Sequence, residues 1–198
     1  NPAGSQTDVT RLNTILAPLN IPLQGASGTV ENATASGTAW FNQLERFYIF
    51  ATQFIECYVL DTNAADIADQ LEWLANVIQM ATAPFKVVIM NGDPYTDSDT
   101  NYPGNVNLRA DFSAMGASLV ISGKSTVYER FYIDGFPYIV NGCGGKSRDN
   151  FEPTVNNSVA RSNQYDGYLR IEASRFQLTA SFVDLAGIVR DATTLYAG

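Results

Sequence analysis

Asp93, Asp97, Asp99 and Glu129 are the carboxylates whose placement admits chemistry, since two of them across a glycosidic bond would serve as acid and as base or nucleophile. Asp97-Ser98-Asp99-Thr100-Asn101 also sets oxygen ligands at alternate positions, as the first part of a calcium loop does. The remainder of that pattern fails, because Tyr102 stands where the turn glycine belongs and no Glu closes the loop. A solvated turn is expected, with calcium at Asp97, Asp99 and Asn101 as the alternative and no other cofactor. The chain contains no His, which excludes Ser–His–Asp and Cys–His nucleophiles. Gly144-Gly145-Lys146-Ser147 has the ending of a phosphate loop, yet Val140 replaces the glycine required five residues before the Gly-Lys pair. Close backbone packing is the expectation for this glycine run. Cys57 and Cys143 are too few for a disulfide framework or a thiolate metal site, and a bridge and two buried thiols both stay open.

The elements that must position these groups follow from the pattern. At 198 residues and 45% apolar the chain can bury one sizeable core, so one domain over 1–198 is expected. Apolar spacing predicts a helix over 8–19, closed by Pro18 and Pro22, and a polar loop over 25–36. Two aromatic-rich strands form a hairpin over 46–60, and Asp61 caps the turn into a helix over 64–81. The unbroken apolar run at 86–90 reads as a central strand buried on both faces. A loop over 96–107, a short helix over 108–115 and a strand over 118–122 come next. Strands over 126–141 turn at Asp134-Gly135, residues 146–164 read as irregular, and a β-meander occupies 167–191.

Charge narrows the partners. A net charge of −8, with Lys86, Lys124 and Lys146 the only lysines, repels phosphate backbones, so nucleic acid is not an expected partner. No apolar run reaches the ~20 residues of a membrane span. Few lysines beside many Asn, Ser and Thr point to an extracellular or virion setting.

Leu119-Val-Ile-Ser-Gly-Lys-Ser-Thr-Val-Tyr-Glu-Arg130 resembles the late motif of the calcineurin-like metallophosphoesterases, nearest the purple acid phosphatase branch. There a Leu-Val-Leu-Ser-Gly strand runs into His-Asp-His and then Val-Tyr-Glu-Arg. Lys124, Ser125 and Thr126 hold those three positions here. Met90-Asn-Gly-Asp-Pro-Tyr95 is similar to the family's Gly-His-His-Pro-Pro-Tyr, with Asn91 and Gly92 in place of the two His. Gly25-Ala-Ser-Gly28 is similar to Gly-Asn-His-Asp, with Ala26 and Ser27 in place of Asn and His. Gln70-Leu-Glu-Trp-Leu74 and Gly142-Cys-Gly-Gly145 resemble two further family elements.

The resemblance implies an α/β (α+β) metallophosphatase-like β-sandwich with flanking helices, lacking the N-terminal half that carries Asp-x-His and Gly-Asp-x-x-Asp. It implies no catalytic residue and no transition-metal ligand. Two-metal hydrolysis needs a clamp of carboxylates and imidazoles, and the visible motifs have lost it. Lys124 would answer carboxylates left in the former metal cavity, Asp93 first, while Glu129 and Arg130 would form a structural pair. The function expected is a pseudoenzyme with a structural, assembly or receptor/glycan-binding role. Its partner would be another protein, a second copy or a glycan. The alternative is a metal-dependent phosphoesterase completed by another segment or chain.

Overall fold

The computed structural model describes residues 47–63, 65–153 and 157–198. The helix expected over 8–19, the loop over 25–36, and Ala26 and Ser27 lie outside the described residues.

A large sheet forms first along the chain: β1 (Tyr48–Ala51), β2 (Ile55–Leu60), β3 (Phe85–Met90), β4 (Leu119–Ser122), β5 (Tyr128–Ile133), β6 (Phe136–Asn141) and β7 (Ser158–Ser162). Its order is β1-β2-β3-β4-β6-β5-β7, with β2, β3, β4 and β6 parallel to one another. Phe-Lys-Val-Val-Ile-Met makes β3 central for a physical reason. Val87 and Val88 point to opposite faces and both are buried, so the strand needs cover above and below. On the Val88 and Met90 side lies α1 (Ile67–Val77), whose Leu74, together with Ile78 just beyond, joins a core with Tyr58, Val120 and Phe131.

The other face meets a second antiparallel sheet of β8 (Gly167–Ala173), β9 (Gln177–Asp184) and β10 (Val189–Tyr196), in the order β10-β9-β8. Phe85, Val87, Leu119 and Ile139 pack there against Leu178, Ala180 and Phe182. Tyr128 stacks on Phe182 with ring centroids 4.3 Å apart. The sheets are also clamped by charge. Asp191 accepts from Arg130 Nε at 2.7 Å, from Nη2 at 2.9 Å and from the Tyr128 hydroxyl at 2.6 Å. Asp191→Ala would leave both donors half-buried without an acceptor. It is expected to cost about 2–3 kcal/mol in denaturant unfolding.

α1 does not start on a side-chain cap from Asp66. Instead the buried Gln70 bonds both backbone groups of Asp61, and Asp61 Oδ1 takes the Asn63 N–H at 3.0 Å. Asp61 therefore holds the turn into the helix. Asp134 and Gly135 adopt φ of 51° and 81°, the left-handed pair of a tight hairpin turn. Cys57 and Cys143 are free and buried, and burial pushes their thiols up to about 12 and about 11.

Three expectations need correction. Residues 108–115 do not form an α-helix: a 3₁₀ turn at Val106–Leu108 ends where Arg109 becomes extended. Arg109 is drawn out by bonds from its guanidinium to the Pro94 and Pro103 carbonyls. The stretch 146–164 is not wholly irregular, because β7 pairs with β5. Its Ser-Val-Ala-Arg-Ser is only half-buried, which leaves little apolar signal. The last strand also continues to Tyr196.

Candidate functional site

Strands β2, β3 and β4 run parallel, so their carboxyl ends open on one side of the sheet, where ligand clefts of such sheets lie. A cleft of about 390 Å³ sits there, lined by Thr62 after β2, by Asn91, Gly92 and Asp93 after β3, and by Lys124 after β4. Asn101 and Asn105 close it from the loop after β3. The ends of the two motifs that fall on described residues, after β3 and after β4, thus come together around one cavity.

Asp93 is its buried floor, 2% exposed. Its Oδ2 accepts from the Ser125 hydroxyl at 2.6 Å and the Ser125 N–H at 2.8 Å, and its Oδ1 accepts from the Lys124 N–H at 3.2 Å. Burial pushes this carboxyl up, and those bonds pull it back only partly. The expected ion pair from Lys124 is corrected: among the described residues its ammonium pairs with no carboxylate. The backbone turn at 124–125 already delivers two N–H donors to Asp93, so the ammonium stays in the cleft wall.

Gly92 gives its N–H to the Thr62 hydroxyl at 2.8 Å. A Cβ placed on it would meet Leu108 Cδ1 at 2.7 Å and Thr62 Oγ1 at 3.0 Å. Thr126 is equally committed. Its N–H donates to Asp149 Oδ2 at 2.9 Å and its hydroxyl to the Ser147 carbonyl at 2.7 Å. Asn101 donates to the Ser125 hydroxyl at 3.1 Å.

Asp149 was not among the sequence-derived candidates, yet it ties three segments together. It accepts from the Ser98 hydroxyl at 2.9 Å, the Thr100 hydroxyl at 3.0 Å and the Thr126 N–H. Burial opposes its ionisation, but these donors outweigh burial and hold the carboxyl below its usual range. A lone Asp in a polar loop carries no sequence signal for that role.

Glu129 and Arg130 do not pair. Adjacent residues of a strand face opposite sides. Glu129 accepts from the Thr96 hydroxyl at 2.6 Å and the Asp97 N–H at 2.8 Å, while Arg130 turns to Asp191. The three residues considered for calcium go separate ways. Asp97 is buried above Glu129, Asp99 accepts from the Asn150 N–H at 3.1 Å, and Asn101 points to Ser125. Within its glycine run, a Cβ would collide only at Gly142, where it would overlap the Ser125 carbonyl, while Gly145 is held to glycine by its φ of 96°.

The described residues around this cleft do not by themselves supply the donors of a two-metal centre. Among the described residues no three His, Cys, Asp or Glu side chains gather as a metal set. Gly92 has no room for a ligand, and Lys124 contributes a cation to the cleft.

The fold is that of metallophosphoesterase-like proteins. The chain is similar to purple acid phosphatase PPD1 from yellow lupin (Lupinus luteus) seeds, at 15% identity and a TM-score of 0.65, over 77% of this chain and 33% of that one. It is similar to GAP50, the anchor in the inner membrane complex of Plasmodium, at 17% identity and a TM-score of 0.64, over 79% of this chain and 56% of that one. PhoD matches at 13% identity and a TM-score of 0.54, over 79% of this chain and 43% of that one. The chain therefore spans between a third and just over half of these proteins. At such identities the likeness is one of fold. No family model and no curated protein matches the sequence.

Proposed function

We propose that the chain is a non-catalytic, phosphatase-like module. Its role is structural, in assembly or in receptor or glycan binding, within an extracellular or virion protein. The observation that supports this reading most is the state of the two described motif ends around the cleft. Gly92 admits no side chain, Asp93 is consumed by Ser125 and Lys124 backbone donors, and Thr126 is bound into the Asp149 network. A hydrolytic centre needs ligands free to grip ions, and these groups are spent on each other. The role of anchor belongs to GAP50, a protein of similar fold, and is of the kind proposed here. A protein partner or second copy has apolar surface to meet, with Phe176, Leu185 and Tyr196 each at least 74% exposed around the second sheet.

The test is elemental analysis of the purified protein beside nitrophenyl-phosphate hydrolysis with added zinc, iron or manganese. Neither stoichiometric metal nor turnover above background is expected. Gly92→His, which puts an imidazole back at the motif, is expected to lower stability by about 2–4 kcal/mol through overpacking against Leu108. Two bound transition ions per chain with metal-dependent turnover would instead establish a phosphoesterase.

A further inference from the structure

A second cleft, of about 490 Å³, opens between the β5–β6 turn and residues 109–113, and shares no lining residue with the first. Its walls include Tyr95, Arg109, Asp111, Asp134, Phe136 and Tyr138. The aromatic rings meet edge to face, Tyr138 lying 4.9 Å from Tyr95 and 5.2 Å from Phe136 between centroids. Tyr138 is 6% exposed as a residue, and it lines this cleft with no hydrogen bond from its hydroxyl to another described residue. A phenol oxygen that opens on a cleft can both donate and accept, so its hydrogen bond is left for whatever enters.

The charges around that hydroxyl say what would supply it. Burial first, and then Tyr95, Asp111 and Asp134, push the Tyr138 phenol up, while the Arg109 charge pulls it the other way only in part. Neither carboxylate has an ion pair among the described residues. Arg109, the cation beside them, is already committed. Its guanidinium bonds the Pro94 and Pro103 carbonyls and lies 4.3 Å from the Tyr95 ring centre. Arg109 brings one positive charge to the lining against two carboxylates, which leaves the cleft net negative, with a phenol oxygen and aromatic walls suited to a cation that has N–H donors and an apolar stem.

We propose that this cleft binds a protonated primary amine, its ammonium between the Asp111 and Asp134 carboxylates and donating to the Tyr138 hydroxyl, its alkyl chain along Phe136. A quaternary ammonium would gain the aromatic walls but has no N–H for the three oxygens. A bare metal ion would leave the aromatic walls unused. A free diamine and the lysine side chain of a partner protein present the same ammonium.

Calorimetric or NMR titration with 1,5-diaminopentane and, separately, with Nα-acetyl-lysine methylamide tests this. Saturable binding is expected, weakened about fivefold or more by Asp134→Asn and by Asp111→Asn. Asn tolerates the left-handed backbone at position 134, where φ is 51°, and at position 111 it keeps the acceptor for the Ala114 N–H. Tyr138→Phe preserves the ring packing and is expected to lose about threefold. If that variant does not fold, the two Asp variants decide. Asp69→Asn, on the exposed face of α1, is expected to change nothing. Stronger binding of the diamine would identify a small-molecule site, and stronger binding of the lysine amide a partner's side chain. Absence of saturation would overturn the proposal. So would equal losses in Asp69→Asn and Asp134→Asn, which would reduce the effect to diffuse attraction by a chain of charge −8.

Discussion

Gly142→Ala is expected to destabilise the fold at or beyond the upper end of the about 1–3 kcal/mol usual for overpacking. The added methyl would overlap the backbone carbonyl of Ser125 and crowd that of Gly123 at 2.8 Å. A flexible side chain can swing aside, but these atoms belong to the turn that delivers two N–H groups to Asp93. Moving them would undo the Asp93 network as well as the end of β6. Gly144→Ala, two residues on, meets nothing within 4 Å and is expected to change stability by no more than about 0.5 kcal/mol. Chemical denaturation of the two variants side by side measures the difference. Equal midpoints would mean that the 123–126 turn yields easily, and the tight closure of the cleft floor would no longer stand.

Stability is expected to fall as pH rises from about 5 to about 7.5, contrary to the usual behaviour of carboxylates. Burial pushes Glu129 from 4.5 up to about 7, helped by the negative charges of Asp97 and Asp93, while the Thr96 hydroxyl and Asp97 N–H pull the other way. Between those values the folded chain holds a proton that the unfolded chain has released, so raising pH favours unfolding. The shift corresponds to at most about 3 kcal/mol. Asp93 is raised too and adds to the same slope. Asp149 and Asp191 are lowered, and their contribution is lost only at more acidic pH. Urea unfolding across this window should show the decline, and Glu129→Gln should flatten it while leaving the Asp93 part. An unchanged slope in that variant would rule Glu129 out as the source.

Much of the architecture was legible because it rests on short-range patterns. Val87–Met90 is apolar without alternation, which only a strand covered on both faces can use. Leu119–Ser122 ending at Gly123 read as a strand tip, and the parallel pairing of β3 and β4 does bring both motif ends to one cleft. Where local signals were weak the reading failed. β7 carries polar residues on a half-buried edge, and the 106–116 segment is held by Arg109 bonds to residues earlier in the chain, not by helical spacing.

By itself the sequence determined which atoms are on offer: no imidazole anywhere, a glycine at position 92, a lysine at 124, and carboxylates at 93, 129 and 149. Only the tertiary structure decided how the carboxylates are satisfied. Asp93 takes backbone N–H groups instead of the lysine ammonium, Asp149 gathers three segments, and Glu129 faces the 96–97 loop while Arg130 faces the second sheet. The reason is separation along the chain. Those donors lie between 23 and 61 residues from their acceptors, and no local periodicity specifies which of them will meet.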